Sequence, residues 1–421
     1  MDFIKKTLQE LSQNGLLRIP KVISEIHGAE IVIGGKKYVN FCTNDYLGLG
    51  QSAEVRNAAA KAIKKFGWST ASARTLSGTT VWHEALEQKI ARFKRTQSAM
   101  LFTSGYTANI GVLSALAGMP GSFIAADESN HASLIDGARL SRAKVYVYKH
   151  RDMDDLEKGL RRNRGCKNKF IVTDTVFSMN GDIAPLKDIV QLARRYGCYV
   201  IADEAHGTGV LGKNGRGAAE LLGVEKDISV SIGTLSKAFG SIGGFAAADG
   251  EIIDFIRNKA RPFIFTTSFP VPVCAAGIAA IETAERKPGL RKKLMANAIY
   301  LRNALSEIKN KNEKWKMKNE ERRPNPGSRI PDDVLASSSF LFPPSARTPG
   351  FGHQTPIIPV VIGDNERTLK MANHLWENGI YTPAIRPPTV PEKMSRLRIT
   401  VTAMHTKKQL EKLIQSIQNA K

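Results

Sequence analysis

The chain has 421 residues, 42% of them hydrophobic and 24% charged, which suits a globular protein of two domains. It has neither a secretion signal nor an apolar run of the roughly 18–20 residues that a membrane-spanning helix needs, so we expect a cytoplasmic protein without membrane contacts. Lys and Arg number 61 against 39 Asp and Glu, and the net charge of +22 would attract nucleic acid, an anionic coenzyme or an acidic partner. The four cysteines lack metal-binding spacing, so no metal site is expected.

Alternating strand and helix patterns fill the first two thirds of the chain. An amphipathic helix is predicted at the N-terminus, and the strand-like apolar runs that follow lie at 99–105, 122–128, 144–150, 169–177, 198–206, 228–234 and 243–249. Several runs are hydrophobic throughout, as in strands covered on both faces of a parallel sheet. One intervening helix is bounded by Pro185 and Gly197. The alternation predicts a three-layer α/β/α fold around a large, mostly parallel sheet.

The pattern changes beyond about residue 285 to a helix, a long polar stretch and a strand–turn–strand–helix. We therefore expect an N-terminal arm (1–45), a large domain (46–285) and a smaller α+β C-terminal domain (286–421). Within the last, residues 309–354 are first Lys-rich and then Pro-rich. This composition predicts an irregular, basic surface insertion.

Several short motifs imitate nucleotide or metal sites. Residues 203–206 spell the helicase box DEAH, and the glycine-rich run after them nearly spells a P-loop. A P-loop needs Ser or Thr after its Lys to hold magnesium, and Asn214 stands there instead. The GxGxxG spacing in the same run begins too far from the strand for a dinucleotide site. His83 lacks the second His of a zinc helix and is expected on a helix surface.

Four polar residues follow buried strands and could act together. Lys237 is flanked by small and apolar residues, and burial would lower its pKa to give the neutral amine that attacks an aldehyde. Asp203 ends a strand and could keep a pyridine nitrogen protonated. His206 could reach the phenolic oxygen of the same ring, and His131 could stack on it. Taken singly, each could instead be a solvated residue, a helix cap or a loop histidine.

The order and spacing of these motifs resemble one known family. A strand followed by SGY, then NHASLIDG, DEAHGTG and TLSKAFGSIGG, is similar to the α-oxoamine synthases, which are pyridoxal phosphate enzymes of fold type I. The resemblance runs from about residue 38 to 290 and from 355 to 419. It implies a PLP-dependent acyltransferase that joins an amino acid to an acyl thioester. The helix start after the SGY strand would suit the cofactor phosphate.

The resemblance also implies roles for individual residues. Lys237 would hold pyridoxal 5'-phosphate as a Schiff base, with Asp203 at the pyridine nitrogen, His131 stacked on the ring and His206 at the phenolic oxygen. The other implied cofactor contacts are Ser104, Gly105, Tyr106, Ser178 and Thr234. Because the family forms homodimers with shared active sites, Thr266 and Thr267 are expected to serve the neighbour's phosphate.

The substrate side follows from the same resemblance. Asn44 and Arg398 would grip the amino-acid carboxylate, although Arg398 in an alternating strand could also be solvated. The turn AIRPPTVP (384–391) is similar to the branch that joins L-alanine to a pimeloyl thioester, on coenzyme A or a carrier protein, in biotin synthesis. Thr389 and Arg18 would lie in its acyl pocket.

Other activities remain open at this point. Glycine acetyltransferase, 5-aminolevulinate synthase and serine palmitoyltransferase are alternatives within the family. A PLP-binding regulator or nucleic-acid-binding protein on the same fold is an alternative outside it, although neither end of the chain carries a helix-turn-helix pattern. The basic 309–354 segment could dock an acidic carrier protein or be a tolerated insertion.

Overall fold

The computed structural model describes residues 1–320 and 355–420, with side chains in the helix that ends at residue 320 described as far as residue 308. The chain forms two compact units. The large unit comprises Asn44–Ser178 and Asp182–Lys292, and the small unit comprises Met1–Thr43, Met179–Gly181 and Lys293–Lys421. No helix in the described ranges is both long and apolar enough to cross a membrane.

The secondary structure alternates as the sequence predicts. The strands are β1 (Glu25–His27), β2 (Glu30–Ile33), β3 (Lys36–Asn40), β4 (Ser98–Phe102), β5 (Ser122–Asp127), β6 (Lys144–Tyr148), β7 (Asn168–Asp174), β8 (Tyr199–Asp203), β9 (Val230–Thr234), β10 (Gly244–Ala248), β11 (Ile357–Gly363), β12 (Ile380–Tyr381), β13 (Ala384–Ile385) and β14 (Ser395–Thr400). The helices are α1 (Asp2–Gln13), α2 (Ala53–Phe66), α3 (Val81–Lys94), α4 (Gly105–Leu116), α5 (Ala132–Ser141), α6 (Met153–Arg162), α7 (Leu186–Tyr196), α8 (Ala218–Leu222), α9 (Gly250–Lys259), α10 (Arg261–Ile264), α11 (Val271–Arg286), α12 (Gly289–Glu320), α13 (Asn365–Glu377) and α14 (Lys407–Gln418).

The large unit is built on a seven-stranded sheet with the order β4-β10-β9-β8-β7-β5-β6. Neighbours from β9 through β6 run parallel, and β10 runs antiparallel to both β4 and β9. Strands β5, β9 and β10 are buried throughout, and helices α4, α5, α9 and α10 contribute to a core over the sheet. The predicted mostly parallel sheet is confirmed, as is α7 with Pro185 at its N-cap and left-handed Gly197 at its C-cap.

Most of the predicted strands end one to three residues before their apolar runs do, and two of these early ends shape the site. The run 169–177 leaves the sheet after Asp174, and the run 198–206 leaves it after Asp203. Glu204, the next residue, is fully buried and accepts hydrogen bonds from the Thr175 hydroxyl (2.8 Å) and from the backbone N–H groups of Ala218 (2.9 Å) and Ala219 (2.8 Å). Glu204 of the DEAH motif thus has a structural role, because its hydrogen bonds fix the turn after β8.

The small unit contains two sheets, ordered β1-β2-β3-β12 and β11-β14-β13. The predicted N-terminal helix is present as α1. The prediction of an irregular 309–354 segment is wrong for its first twelve residues, because α12 continues to Glu320. Lys, Glu and Met have high helix propensity, and no proline occurs between Pro288 and Pro324. The sequence therefore contains no early stop signal for this helix. Residues 321–354 lie outside the described residues.

Two histidines are buried where the sequence predicts none. His83 was expected on a helix surface, but it is fully buried in the first turn of α3, and its Nε2 lies 3.0 Å from the Phe269 carbonyl oxygen. His405 is also fully buried, stacks on Phe41 with ring centroids 4.3 Å apart, and accepts the Thr402 N–H at Nδ1 (2.9 Å). Burial is the main cause that lowers the pKa of each imidazole from 6.5 to about 4.

Because these pKa values are lower in the folded state, the histidines stabilise the fold fully above pH 6.5 and lose this contribution as pH falls towards 4. Each contributes about 3 kcal/mol between these limits. We expect the free energy of unfolding, measured with urea, to fall by about 5 kcal/mol from pH 7 to pH 4.5 through this pair. His405→Gln should remove about half of that fall, and His27→Gln, at an exposed position, should remove none. An unchanged pH dependence in His405→Gln would contradict the argument.

Candidate active site

A cavity of about 230 Å³ opens in the large unit at the carboxyl ends of the parallel strands. Its lining gathers eight residues that the sequence analysis selected from widely separated motifs. The lining residues are Asn44, Gly105, Tyr106, Asn109, His131, Ser133, Asp174, Asp203, Ala205, His206, Thr234, Ser236 and Lys237. The cavity therefore combines an amine, two carboxylates, two imidazoles and the start of a helix.

Asp203 is held rigidly at the end of β8. Its side chain is 5% exposed, with Oδ1 accepting the Ala205 N–H at 2.7 Å and Oδ2 accepting from Asn109 Nδ2 at 2.6 Å. Asn109, on α4, also donates to the Ser133 hydroxyl at 2.8 Å. These bonds fix the carboxylate in the cavity wall.

Asp174 is a site residue that the sequence analysis missed. It ends β7 directly opposite Asp203 in the sheet register, and its Oδ2 accepts the backbone N–H of His131 at 2.6 Å. Burial, and next the negative charge of Asp203, raise the pKa of the Asp174 carboxyl well above its ordinary value. The signal was present in the sequence, since Asp174 ends a buried run just as Asp203 does.

His131 forms the N-cap of α5 and lines the same cavity as the two carboxylates. Its Nδ1 lies 2.7 Å from the Ser133 hydroxyl, and its ring meets Tyr106 edge-on with centroids 6.4 Å apart. Desolvation, followed by the positive charge of Lys237, lowers the pKa of His131, while Asp203 acts in the opposite direction. The neutral imidazole is therefore favoured at this position.

The strand–helix junction after β4 is the position where the sequence predicts a phosphate cradle. Ser104 caps α4 and accepts the Thr107 N–H at 3.1 Å, and α4 begins at Gly105. A Cβ atom at Gly244 would lie 2.3 Å from the Ser104 carbonyl oxygen, so only glycine lets β10 approach this junction. The Thr234 hydroxyl donates to the Gly243 carbonyl at 2.8 Å. The backbone N–H groups at the start of α4 suit a phosphate group.

His206 is buried and is positioned by a residue that the sequence analysis also missed. Its Nδ1 lies 2.6 Å from the hydroxyl of Tyr46, which is fully buried and 3.4 Å from Asn44 Oδ1. The three residues make one hydrogen-bonded row that ends in the cavity wall at Asn44 and His206. No local pattern marks Tyr46, because it lies 160 positions from His206 in the chain.

The other predicted site residues do not line this cavity. Ser178 ends one segment of the large unit, and Thr266 and Thr267 line a separate small cavity, where Thr267 pairs with Ala73. In the small unit, Arg18 donates from Nη2 to the Thr389 hydroxyl and to the Pro387 carbonyl, each at 3.4 Å.

Arg398 is buried in β14 and donates to the Thr400 hydroxyl at 3.0 Å. Its neighbour Arg396 is also buried and donates to Asn180 Oδ1 at 2.6 Å. The alternative of a solvated arginine at either position is therefore excluded.

The residues of the cavity fit pyridoxal phosphate. The cofactor needs an amine for its aldehyde, a carboxylate for its pyridine nitrogen and donors for its phosphate. Lys237 offers the amine, Asp203 the carboxylate and the start of α4 at Gly105 the phosphate donors, all within one cavity. The fold and the cavity together define a pyridoxal phosphate-dependent enzyme of fold type I.

The chain belongs to the family "Aminotransferase class I and II", whose model matches residues 36–322 and 345–417. Its relatives include 8-amino-7-oxononanoate synthase of Citrifermentans bemidjiense, which is 42% identical over 98% of this chain and 96% of the relative. A putative 8-amino-7-oxononanoate synthase of Bacillus licheniformis is 45% identical over 89% and 88% of the two chains.

Solved structures agree on the class. A structure of serine palmitoyltransferase (SPT) with a PLP internal aldimine has a TM-score of 0.85 and 31% identity, and the match covers 100% of this chain and 96% of that one. An 8-amino-7-oxononanoate synthase of Francisella tularensis has a TM-score of 0.71 and 25% identity, covering 90% and 97%. The chain is accordingly a PLP-dependent acyltransferase of the α-oxoamine synthase type.

Proposed function

We propose that the chain condenses L-alanine with a pimeloyl thioester, forming 8-amino-7-oxononanoate for biotin synthesis and releasing carbon dioxide and the carrier thiol. The observation that carries this proposal is the name shared by relatives that align with 98% and 99% of the chain at 42% and 40% identity. A serine palmitoyltransferase activity is the second candidate, because the SPT structures cover the whole chain with a TM-score of 0.85.

The cavity supports a division of labour for this reaction. When bound, pyridoxal phosphate supplies a protonated heterocycle that draws electrons away from the α-carbon of the amino acid. We assign Lys237 Nζ to hold the cofactor and to take up and return the α-proton, and Asp203 to hold the proton at the ring nitrogen. His131 would lie against the ring. The remaining cofactor contacts that we propose are Ser104, Gly105, Tyr106, Ser178, His206 and Thr234, with Thr266 and Thr267 serving a second copy.

The amino-acid carboxylate would be bound by Asn44 and Arg398. Arg398 is 6% exposed, so its guanidinium is largely removed from water and its charge is weakly screened. The planar fork of a guanidinium can bind a carboxylate through two parallel hydrogen bonds, which orients the amino acid as well as attracting it.

The acyl end offers a feature that separates the two candidate reactions. Burial lowers the pKa of Arg386, and the nearby positive charge of Arg18 lowers it further. Within residues 1–320 and 355–420 neither forms a salt bridge, and Arg18 already contacts Thr389. Two neighbouring guanidiniums and a hydroxyl suit a carboxylate. A pimeloyl chain carries one at its far end and a palmitoyl chain does not.

The proposal is tested by offering the purified holoenzyme alanine, glycine or serine with pimeloyl-, acetyl- or palmitoyl-coenzyme A. Carbon dioxide release and product mass would be measured for each pair. We expect alanine with the pimeloyl donor to give the highest kcat/KM. A clear preference for serine with the palmitoyl donor would support the second candidate and overturn the first.

Arginine variants refine this experiment. Arg18→Gln and Arg386→Gln should each raise the KM for pimeloyl-coenzyme A by about 10- to 100-fold, with little change in the KM for alanine. Arg195→Gln, at an exposed position on α7, is the matched control and should change neither constant. Equal effects of the variants on an acyl donor without a distal carboxylate would contradict the assignment.

Three further parts of the proposal are not visible in the cavity. From the family resemblance we propose a homodimer with shared active sites and either coenzyme A or a carrier protein as the acyl carrier. From the composition of the chain we propose a cytoplasmic location. The idea that the basic 309–354 segment docks a carrier protein falls largely outside the described residues.

A further inference from the structure

A second cavity in the large unit is lined mainly by arginines and shares no residue with the cofactor cavity. It has a volume of about 320 Å³, and we call it the arginine pocket. Four segments contribute to it: the end of α3, the turn at 214–216, the end of α11 and the first turn of α12. Its polar lining residues are Arg92, Arg95, Asn214, Arg216, Glu285 and Arg291.

Arg216 is 7% exposed and anchors the wall of the arginine pocket. Its Nε and Nη2 donate to Glu225 at 2.7 and 2.9 Å, and Glu220 lies 3.0 Å from Nη2. Its Nη1 has no acceptor within the described part of the chain. The side chain is therefore fixed in place with one donor nitrogen still available.

Arg291 is 9% exposed and lies in the first turn of α12, where the helix dipole disfavours a cation. It donates to the carbonyls of Ala284 (3.0 Å) and Lys213 (3.1 Å), and burial is the main cause that lowers its pKa. Across the described ranges it forms no salt bridge, and the first turn of the helix holds no acidic residue. Among the described residues, the charges of Glu220 and Glu285 favour this buried cation, but both act from beyond salt-bridge distance.

Arg92 and Arg95 add two positive charges at the exposed side of the pocket. Both are exposed, and neither forms a salt bridge with any described residue. Glu285, the acidic lining residue, is paired with Lys89 at 2.6 Å. Four arginines therefore line the pocket against one carboxylate, so its lining favours an anion.

We propose that the arginine pocket binds phosphate, either as the free ion or as the phosphate group of a small organic monoester. Guanidinium groups bind phosphate oxygens through paired hydrogen bonds. The buried Arg216 and Arg291 and the exposed Arg92 and Arg95 provide such donors in one pocket. The bound anion would join α3, the 214–216 turn and α12 across the pocket. The site is independent of the cofactor phosphate, so its test does not rely on enzymatic activity.

The test measures thermal unfolding of the holoenzyme against added sodium phosphate, with sodium chloride at matched ionic strength as reference. Ligand that binds only the folded state raises the melting temperature, and we expect a rise of about 2–5 °C at saturating phosphate. Calorimetric titration would give the stoichiometry, expected to be one phosphate per chain beyond the cofactor. Adenosine 3'-phosphate and adenosine distinguish the two sources: a monoester site binds the nucleotide, a free-phosphate site only the ion, and neither binds adenosine.

The variants use the exposed pair, whose replacement disturbs no packing. Arg92→Gln/Arg95→Gln should weaken phosphate binding at least about tenfold and abolish most of the thermal shift. Arg194→Gln/Arg195→Gln is the matched control, since these arginines are exposed in the last turn of α7 as Arg92 is near the end of α3. A thermal shift that chloride reproduces, or that survives in Arg92→Gln/Arg95→Gln, would overturn the proposal.

Discussion

Lys237→Ala is expected to lower kcat by at least about 10³-fold, since it removes both the covalent anchor of the cofactor and the proposed base. Lys237 lines the cavity with Asp203 and His131, and within residues 1–320 and 355–420 no other lysine does. Borohydride reduction followed by intact-mass measurement should show one cofactor attached to the parent chain and none attached to the variant.

Two controls make this result specific to the amine. Lys144→Ala, at an exposed position on the edge strand β6, should retain full activity and cofactor attachment. Added methylamine should restore part of the activity of Lys237→Ala, because a small amine can enter the space left by the side chain. A variant that keeps its turnover, or retains the covalent cofactor after reduction, would refute the assigned role of Lys237.

Asp203→Asn is expected to lower kcat by about 10²–10³-fold while the chain stays folded. The substitution preserves the shape of the side chain but removes the negative charge that would hold a proton at the ring nitrogen. The bond from the Ala205 N–H can be kept by the new amide oxygen. Rotation of the Asn109 amide can restore an acceptor opposite the new Nδ2.

Asp174→Asn is the matched control for this experiment. Asp174 and Asp203 face each other at the ends of neighbouring strands and line the same cavity. Burial, and next the charge of Asp203, raise the pKa of Asp174, and the amide oxygen of the variant can still accept the His131 N–H. We expect Asp174→Asn to cost less than about tenfold in kcat.

The comparison of the two variants also discriminates between charge and packing. If both cost the same, the loss would reflect the geometry of the cavity wall rather than the charge at the ring nitrogen. Melting temperatures and cofactor dissociation constants, measured in parallel, separate a weaker-binding variant from one that binds the cofactor and turns over slowly.

The sequence alone determined the elements and the local placement of the reactive groups. Continuous apolar runs predicted β5 and β9, and the proline–glycine boundaries predicted α7, because these signals depend on neighbours along the chain. Lys237 and Asp203 could be selected because residues after parallel strands reach the same sheet edge. The family motifs then gave the class of enzyme and its cofactor.

Only the tertiary structure decided which further residues join the site. Asp174 became a partner of Asp203 through the pairing of β7 with β8, and Tyr46 met His206 across 160 positions of sequence. His83 was misplaced on a surface for a related reason, since its burial depends on the distant Phe269 carbonyl. Contacts between distant segments depend on strand register and side-chain packing, which short-range periodicity does not encode.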